Sequence, residues 1–324
     1  MNILITGGAG YIGSHIVEQL INSKNKIIIF DNLETGHKRL INRKAVFIKD
    51  DIKNRKILNL IIKKYKIDTI FHLAAYLNVS EAEKNKWKYK QNNIQGTKNL
   101  LLACKNSNVK NFIFSSSCSV YGNINGSVSE RKKLNPQGYY AYTKFVGEEL
   151  VKKYSKKFKY KYGILRYFNV AGASDSKKIG EIEKSHGHLI KNLAIESLKN
   201  KPIINIYGND YPTKDGTCVR DYIHVSDLAS IHIRGLGYLN KVKKSFIVNC
   251  GYGKGYSVKE IVDIFKKIKK KLFINYQKKR PGDIAQVYSD TKKFKKLFKW
   301  KPKNNDMSKI IKSAIKWEKK FNSL

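Results

Sequence analysis

Tyr140 and Lys144 stand four residues apart in Tyr139–Lys157, where apolar residues recur at three- and four-residue spacing. A helix there projects both side chains from one face. An ammonium beside a phenol favours the phenolate and lowers its pKa, so the pair is a candidate general base, and the same Lys can hold a ribose. Tyr-x-x-x-Lys recurs by chance in a Lys-rich chain. The pair gains weight from Phe114-Ser115-Ser116-Ser117-Cys118-Ser119-Val120-Tyr121-Gly122, which follows an apolar run and offers hydroxyls to a substrate oxygen.

Elements that position these groups follow from periodicity. Short Ile-, Val- and Phe-rich runs at Asn2–Thr6, Lys26–Phe30, Ala45–Lys49, Thr69–His72, Asn111–Ser115 and Tyr162–Arg166 read as strands. Tyr11–Ile21, Asn54–Lys64, Asn93–Ser107 and Tyr139–Lys157 read as amphipathic helices between them. This alternation predicts an α/β, doubly wound parallel sheet, with ligands at the C-terminal ends of its strands. Helices are also expected near Leu189–Lys199, His224–Gly237 and Ile261–Lys271, with a turn-rich segment over Tyr207–Arg220. A smaller, interleaved second domain follows Gly172.

The first strand runs into Gly7-Gly8-Ala9-Gly10-Tyr11-Ile12-Gly13, whose Gly8-x-Gly10-x-x-Gly13 spacing lets backbone and helix N-terminus approach a pyrophosphate. Asp31 ends the second strand, where a carboxylate accepts hydrogen bonds from a ribose and repels a 2′-phosphate, favouring NAD over NADP. Asp50-Asp51-Ile52, read as closing the third strand, reaches towards the adenine.

The chain has 324 residues, 41% of them hydrophobic, enough for a sizeable core and too many for wholesale disorder. Its formal charge is +40, yet only eight of the 65 basic residues are Arg. Lysines spread over nearly every segment read as a solvated surface rather than a nucleic-acid patch. Cys104, Cys118, Cys218 and Cys250 are widely separated, so neither a metal site nor a disulfide framework is expected. With no basic leader and no long apolar run, a cytoplasmic protein without membrane contact is expected.

Together these motifs resemble the extended short-chain dehydrogenase/reductases, and within them the UDP-galactose 4-epimerases. The resemblance covers nearly the whole chain: the glycine loop, Asp31-Asn32-Leu33, Phe71-His72-Leu73-Ala74-Ala75, Asn92-Asn93-Ile94-Gln95-Gly96-Thr97, the Ser loop, Tyr140 to Lys144, Arg166-Tyr167-Phe168-Asn169 and, most specifically, Tyr207 to Val225. It implies a Rossmann domain over residues 1–172, with a return segment near 221–250, and a UDP-sugar-binding domain over 173–220 and 251–324. It also implies a homodimer built on the helices starting near Asn93 and Tyr139.

By the same resemblance, Tyr140 is the base, Lys144 lowers its pKa and Ser117 relays the proton. NAD is held by Gly7, Gly10, Tyr11, Ile12, Gly13, Asp31, Asn32, Asp51, Ile52, Leu73, Ala74, Ala75, Asn92, Ser115, Tyr140, Lys144 and Tyr167. Arg220 and Arg280 clamp the diphosphate, Asp283 takes the uridine ribose, Leu189 and Tyr207 line the uracil pocket, and Asn169 contacts sugar or phosphate. His188 stands where some members have Asn near the nucleotide. Val287 stands where a bulky Tyr accompanies glucose/galactose-only members, so N-acetylhexosamine substrates are expected as well. His72 and His224 read as structural.

Other readings fit less well: a nucleotide-sugar decarboxylase or uronate epimerase needs a site for a C5 carboxylate, and the long Tyr207 to Val225 match argues against it. A 4,6-dehydratase needs an acid–base pair beside the Tyr, and Cys118-Ser119 supplies no carboxylate. A non-catalytic NAD-binding protein that uses the basic surface on RNA leaves Tyr140, Lys144 and Ser117 without purpose.

Overall fold

Strands that bury both faces must be apolar throughout, and four-residue stretches such as Ile3-Leu4-Ile5-Thr6 and Ile27-Ile28-Ile29-Phe30 are buried completely. The computed structural model describes residues 1–182, 188–269, 271–280 and 282–323. Its strands are β1 Asn2–Thr6, β2 Lys26–Phe30, β3 Val46–Ile48, β4 Thr69–His72, β5 Asn111–Ser117, β6 Gly126–Val128, β7 Lys161–Tyr167, β8 Asn169–Ala171, β9 Ile203–Tyr207, β10 Val219–His224, β11 Phe246–Cys250, β12 Gly255–Ser257, β13 Phe273–Gln277 and β14 Gln286–Ser289.

Among the described residues, seven strands form one parallel sheet in the order β11-β7-β5-β4-β1-β2-β3. One face, with Ile3, Ile5, Ile27, Ile29, Phe71 and Leu165, packs on helices Tyr11–Leu20 and Val225–Val242. Leu4, Ile28, Phe30, Ile70, Phe112 and Ile164 face helices Arg55–Lys64, Thr97–Ala103 and Tyr139–Phe158. The strand order reverses between β1 and β4, which opens a crevice at their C-terminal ends. Strand β11, from the return segment near 221–250, closes one edge of this sheet.

The rest of the chain builds a smaller layer. β10 is central: Tyr222–His224 pair with β8, while Val219–Asp221 pair with β12 and β14. β9 and β13 form a separate parallel ribbon. A third apolar cluster, including Ile190, Leu193, Ile206, Tyr222, Phe265 and Ile311, gathers helices Leu189–Glu196, Val258–Ile268 and Met307–Asn322. Among the described residues, no helix is long and apolar enough to cross a membrane.

Several expected boundaries are corrected. A wide π-type turn over Lys90–Gly96 precedes the helix expected from Asn93, which runs over Thr97–Ala103. There the Asn93 side chain leaves the helical pattern to hold the Tyr76 backbone. The helix expected over Ile261–Lys271 starts at Val258, because Ser257 and Glu260 form a capping box, and ends at Ile268. The Leu189–Lys199 expectation is likewise trimmed to Leu189–Glu196, and β3 ends at Ile48, so Asp51 and Ile52 lie in the loop beyond it. Lys270, and Pro281 of the segment Lys279–Asp283, lie outside the described residues.

One buried ion pair locks the helix that carries Tyr140 to the strands beneath it. Arg166 on β7 donates to both carboxylate oxygens of Glu148, at 2.9 and 2.6 Å, and Ser116 on β5 donates to Glu148 at 2.5 Å. Arg166 also donates to the Tyr121 hydroxyl at 2.9 Å. Removing one partner strands a charge in the dry interior, so Glu148→Gln is expected to cost about 3–5 kcal/mol in urea unfolding.

Candidate active site

The glycine loop shapes the crevice by its lack of side chains. Gly7 has φ +73°, and a Cβ there would stand 2.7 Å from the Ala74 nitrogen. A Cβ on Gly13 would stand 2.2 Å from the Gly7 oxygen, whereas one on Gly10 would meet only that oxygen, at 3.2 Å. The loop is thus closed behind and open in front, at the N-terminus of helix Tyr11–Leu20, a cradle that fits a pyrophosphate. Leu73 and Ala74 donate to the Thr6 carbonyl at 3.0 and 3.1 Å, and this fixes the neighbouring wall. Ala75 follows them, and the Tyr11 hydroxyl donates to the Gly172 carbonyl at 2.6 Å.

Asp31 lies nearly buried beside it. Its Oδ2 accepts from the Ala9 N–H at 3.0 Å and its Oδ1 from the Leu33 N–H at 2.9 Å, which leaves a lone pair on each oxygen for a ribose hydroxyl. Burial raises its pKa against these bonds. Asn32 donates to Asp51 at 2.9 Å and so ties the loops after β2 and β3 together. Ile52 is buried in the core, where its side chain would meet a Cβ on Gly96 at 2.5 Å.

At the other end of the crevice, the Ser117 side chain lies near enough to the Tyr140 phenol to lower its pKa. Ser117 Oγ accepts from the Ser119 hydroxyl at 3.0 Å. Lys144 is buried and donates to the Ser115 carbonyl at 2.9 Å. The expected depression of Tyr140 by Lys144 is corrected. Burial raises the phenol well above 10, against a smaller lowering by the nearby Ser117 side chain, and pushes Lys144 down to about 8. Cys118 has its thiol pushed up to about 12 by burial, which makes it a poor nucleophile.

Asn92 is buried and donates to Asn93 at 3.0 Å, and Asn93 donates to Thr143, whose hydroxyl bonds the Tyr140 carbonyl at 2.7 Å. Tyr167 hydrogen-bonds His232 and sits in the core cluster, so its hydroxyl is already engaged. His72 lies between Thr6 and Thr97 hydroxyls at 2.7 and 2.8 Å, held neutral by burial, and His224 caps a helix through Ser226.

The structure brings Asn169, His188, Leu189, Arg220, Arg280 and Asp283 together around one cleft. Arg280 Nε donates to Asp283 at 2.9 Å, and Arg220 lies 3.9 Å from the other carboxylate oxygen. The Arg280 guanidinium stacks 4.9 Å above the Tyr207 ring. Cys118, next to Ser117, packs on the cluster that holds Val287, the register partner of Arg220, so the two-arginine cleft adjoins the Ser117 end of the crevice. His188 pairs with Glu181 at 2.8 Å at the cleft margin. Val287, opposite Arg220 in register, packs with Val120, Tyr121, Val128 and Phe168 outside the cleft lining.

Residues 3–251 match the model of the NAD dependent epimerase/dehydratase family. The chain belongs to that family. A UDP-glucose 4-epimerase of Lactobacillus helveticus is 39% identical over 98% of this chain and 97% of its own length. The Stenotrophomonas maltophila UDP-glucose-4-epimerase, solved with NAD and formylated UDP-arabinopyranose, superposes with a TM-score of 0.95 at 33% identity, covering 100% of this chain and 99% of that one. A UDP-Glc/GlcNAc 4-epimerase from Campylobacter jejuni gives 0.86 at 38% identity, with 98% and 99% covered. Within this family frame, sequence reasoning assigned no role to Glu148, Ser119, Asn93 or Thr143. Glu148 had a signal: Tyr140, Lys144 and Glu148 recur every four residues along one helical stripe.

Proposed function

We propose that the protein interconverts UDP-galactose and UDP-glucose with NAD held throughout the cycle. The observation that carries this reading is the Arg220–Asp283–Arg280 cleft adjoining the Tyr140–Ser117 pair, because guanidinium groups bind a diphosphate in bidentate fashion beside a base. Asp283 turns from the arginines to the uridine ribose when the diphosphate arrives, and Tyr207 and Leu189 flank the base. We read residues 1–172, with the return segment, as the cofactor half, 173–220 and 251–324 as the nucleotide-sugar half, and the working form as a homodimer.

When bound, NAD supplies the hydride acceptor and a positive ring charge beside the phenol. As the phenolate that this positive charge would favour against burial, Tyr140, relayed through Ser117, takes the proton of the sugar 4-hydroxyl as the C4 hydride departs. The 4-keto sugar turns about its link to the diphosphate, and the same phenol returns the proton when the hydride is delivered to the opposite face. Lys144 holds the cofactor ribose, and Arg220 and Arg280 keep the nucleotide fixed while the hexose rotates.

N-acetylhexosamine turnover is part of the proposal: Val287 lies outside the cleft lining, but its cluster also carries Cys118, the neighbour of Ser117, and a Val there is smaller than a Tyr. A proton NMR time course, with NAD and an equimolar mixture of UDP-galactose and UDP-GalNAc and no reductant, tests both parts. Both gluco products are expected; UDP-glucose alone would overturn the wider scope, and neither product would overturn the epimerase reading.

A further inference from the structure

Glu34 lies in the loop after β2, and the mechanism gives it nothing to do. That loop folds back over the glycine loop, where the His37 N–H donates to the Ala9 carbonyl at 2.9 Å. Tyr76 leaves the end of β4, its backbone held from both sides by the Asn93 side chain at 2.9 and 3.1 Å. The Tyr76 hydroxyl donates to Glu34 Oε2, and Lys88 Nζ stands 3.3 Å from Glu34 Oε1. Lys88 also sits 4.2 Å above the Tyr76 ring and donates to Glu81 at 2.9 Å. Glu81 is itself bonded by the Tyr89 hydroxyl at 3.0 Å.

Sheet order turns these contacts into a bridge. β1 lies between β2 and β4, so a link between the loops leaving β2 and β4 crosses over the C-terminal end of β1. That is where the glycine loop opens and Asp31 presents its carboxylate. We infer that Glu34, Tyr76 and Lys88 form a clasp over the dinucleotide groove, and that its opening sets the rate at which NAD leaves. The inference rests on the reading that NAD occupies this groove. Tyr76 is anchored through Asn93 to Thr143 on the helix that carries Tyr140, so the β4 side of the clasp is the fixed jaw and the β2 loop the moving one. The Glu34–Lys88 contact is partly exposed and weakens with salt, whereas the Tyr76 bond does not depend on a net charge pair.

The test loads the full protein with NAD, removes free nucleotide on a desalting column, and follows release into a trap of NAD-consuming enzyme. Glu34→Ala and Tyr76→Phe are each expected to speed release about tenfold, a change of roughly 1.4 kcal/mol. Glu149→Gln, which alters an exposed ion pair with Lys152 on the outer helix surface, should leave release unchanged. Raising salt should speed release from the unaltered protein and have little effect on Glu34→Ala. Release from both clasp variants within twofold of the unaltered protein would overturn the clasp while leaving the cofactor reading intact. A protein that retains no NAD on the column would overturn both.

Discussion

Tyr140→Phe is expected to lower the rate of UDP-galactose epimerisation by roughly 10²–10⁴-fold, the span typical of a removed general acid–base group. UDP affinity should stay within about twofold, because Arg220, Arg280 and Asp283 lie in the neighbouring cleft and do not touch the phenol. The substitution removes only an oxygen, so the ring still fills its half-buried place. What it removes is the phenol beside Ser117 that the proposed cycle uses to take and return the proton. Burial holds that phenol protonated in the free protein, so kcat/KM should rise with pH below the region where Lys144 loses its own proton, at about 8. Steady-state kinetics across pH 6 to 9, paired with UDP titration calorimetry, reads both effects. A variant that kept more than a tenth of the rate would remove Tyr140 from the proton path, and Ser117 with Ser119 would be the next candidates.

The parallel half of the fold was legible because doubly buried strands must be nearly continuous apolar runs, and Asn2–Thr6, Lys26–Phe30 and Thr69–His72 are bounded as the sequence predicts. The second layer was not. β6, β8 and β12 have three residues each and are held by long-range pairing rather than by a pattern of their own. β13 presents mostly exposed residues and gives no alternation to read. Met307, Ile310, Ile311, Ala314 and Ile315 do carry helical spacing, so the last helix was readable in principle, though no element was placed there.

The site divides in the same way. Glycine spacing, Asp31 and the Tyr140–Lys144 step are local in sequence, and the structure sets them at the ends of the crevice that local reasoning gives them. The direction of the Tyr140 shift was not local. Four-residue spacing says that two side chains share a face, not how dry that face is, and here dehydration sets the direction for both groups. Lys144 answers to the Ser115 carbonyl on β5, and Glu148 to Arg166 on β7, both partners far away in the chain. No pattern within the helix announces them.

Lys144→Met should separate stability from function. In the folded protein Lys144 loses its proton at about 8, against an ordinary value of 10.5. Between those values the unfolded chain binds more protons than the folded one, so stability rises with pH through that window. Below about 8 the full cost of the dry ammonium is present. A displacement of this size corresponds to roughly 3 kcal/mol. Methionine removes that cost and fills a similar volume, while losing the bond to the Ser115 carbonyl, worth about 1 kcal/mol. At pH 7 the NAD-free variant is therefore expected to be more stable by about 2 kcal/mol, a few degrees in Tm, with the gain disappearing towards pH 10. Epimerisation should nevertheless fall by at least about a hundredfold, shared between weaker NAD binding and slower turnover, because the ammonium that holds the ribose is gone. Thermal unfolding at pH 7 and pH 10 with NAD titration decides the matter. An unchanged Tm at pH 7 would mean that Lys144 is wetter than its packing implies, and unchanged turnover would take it out of the catalytic set.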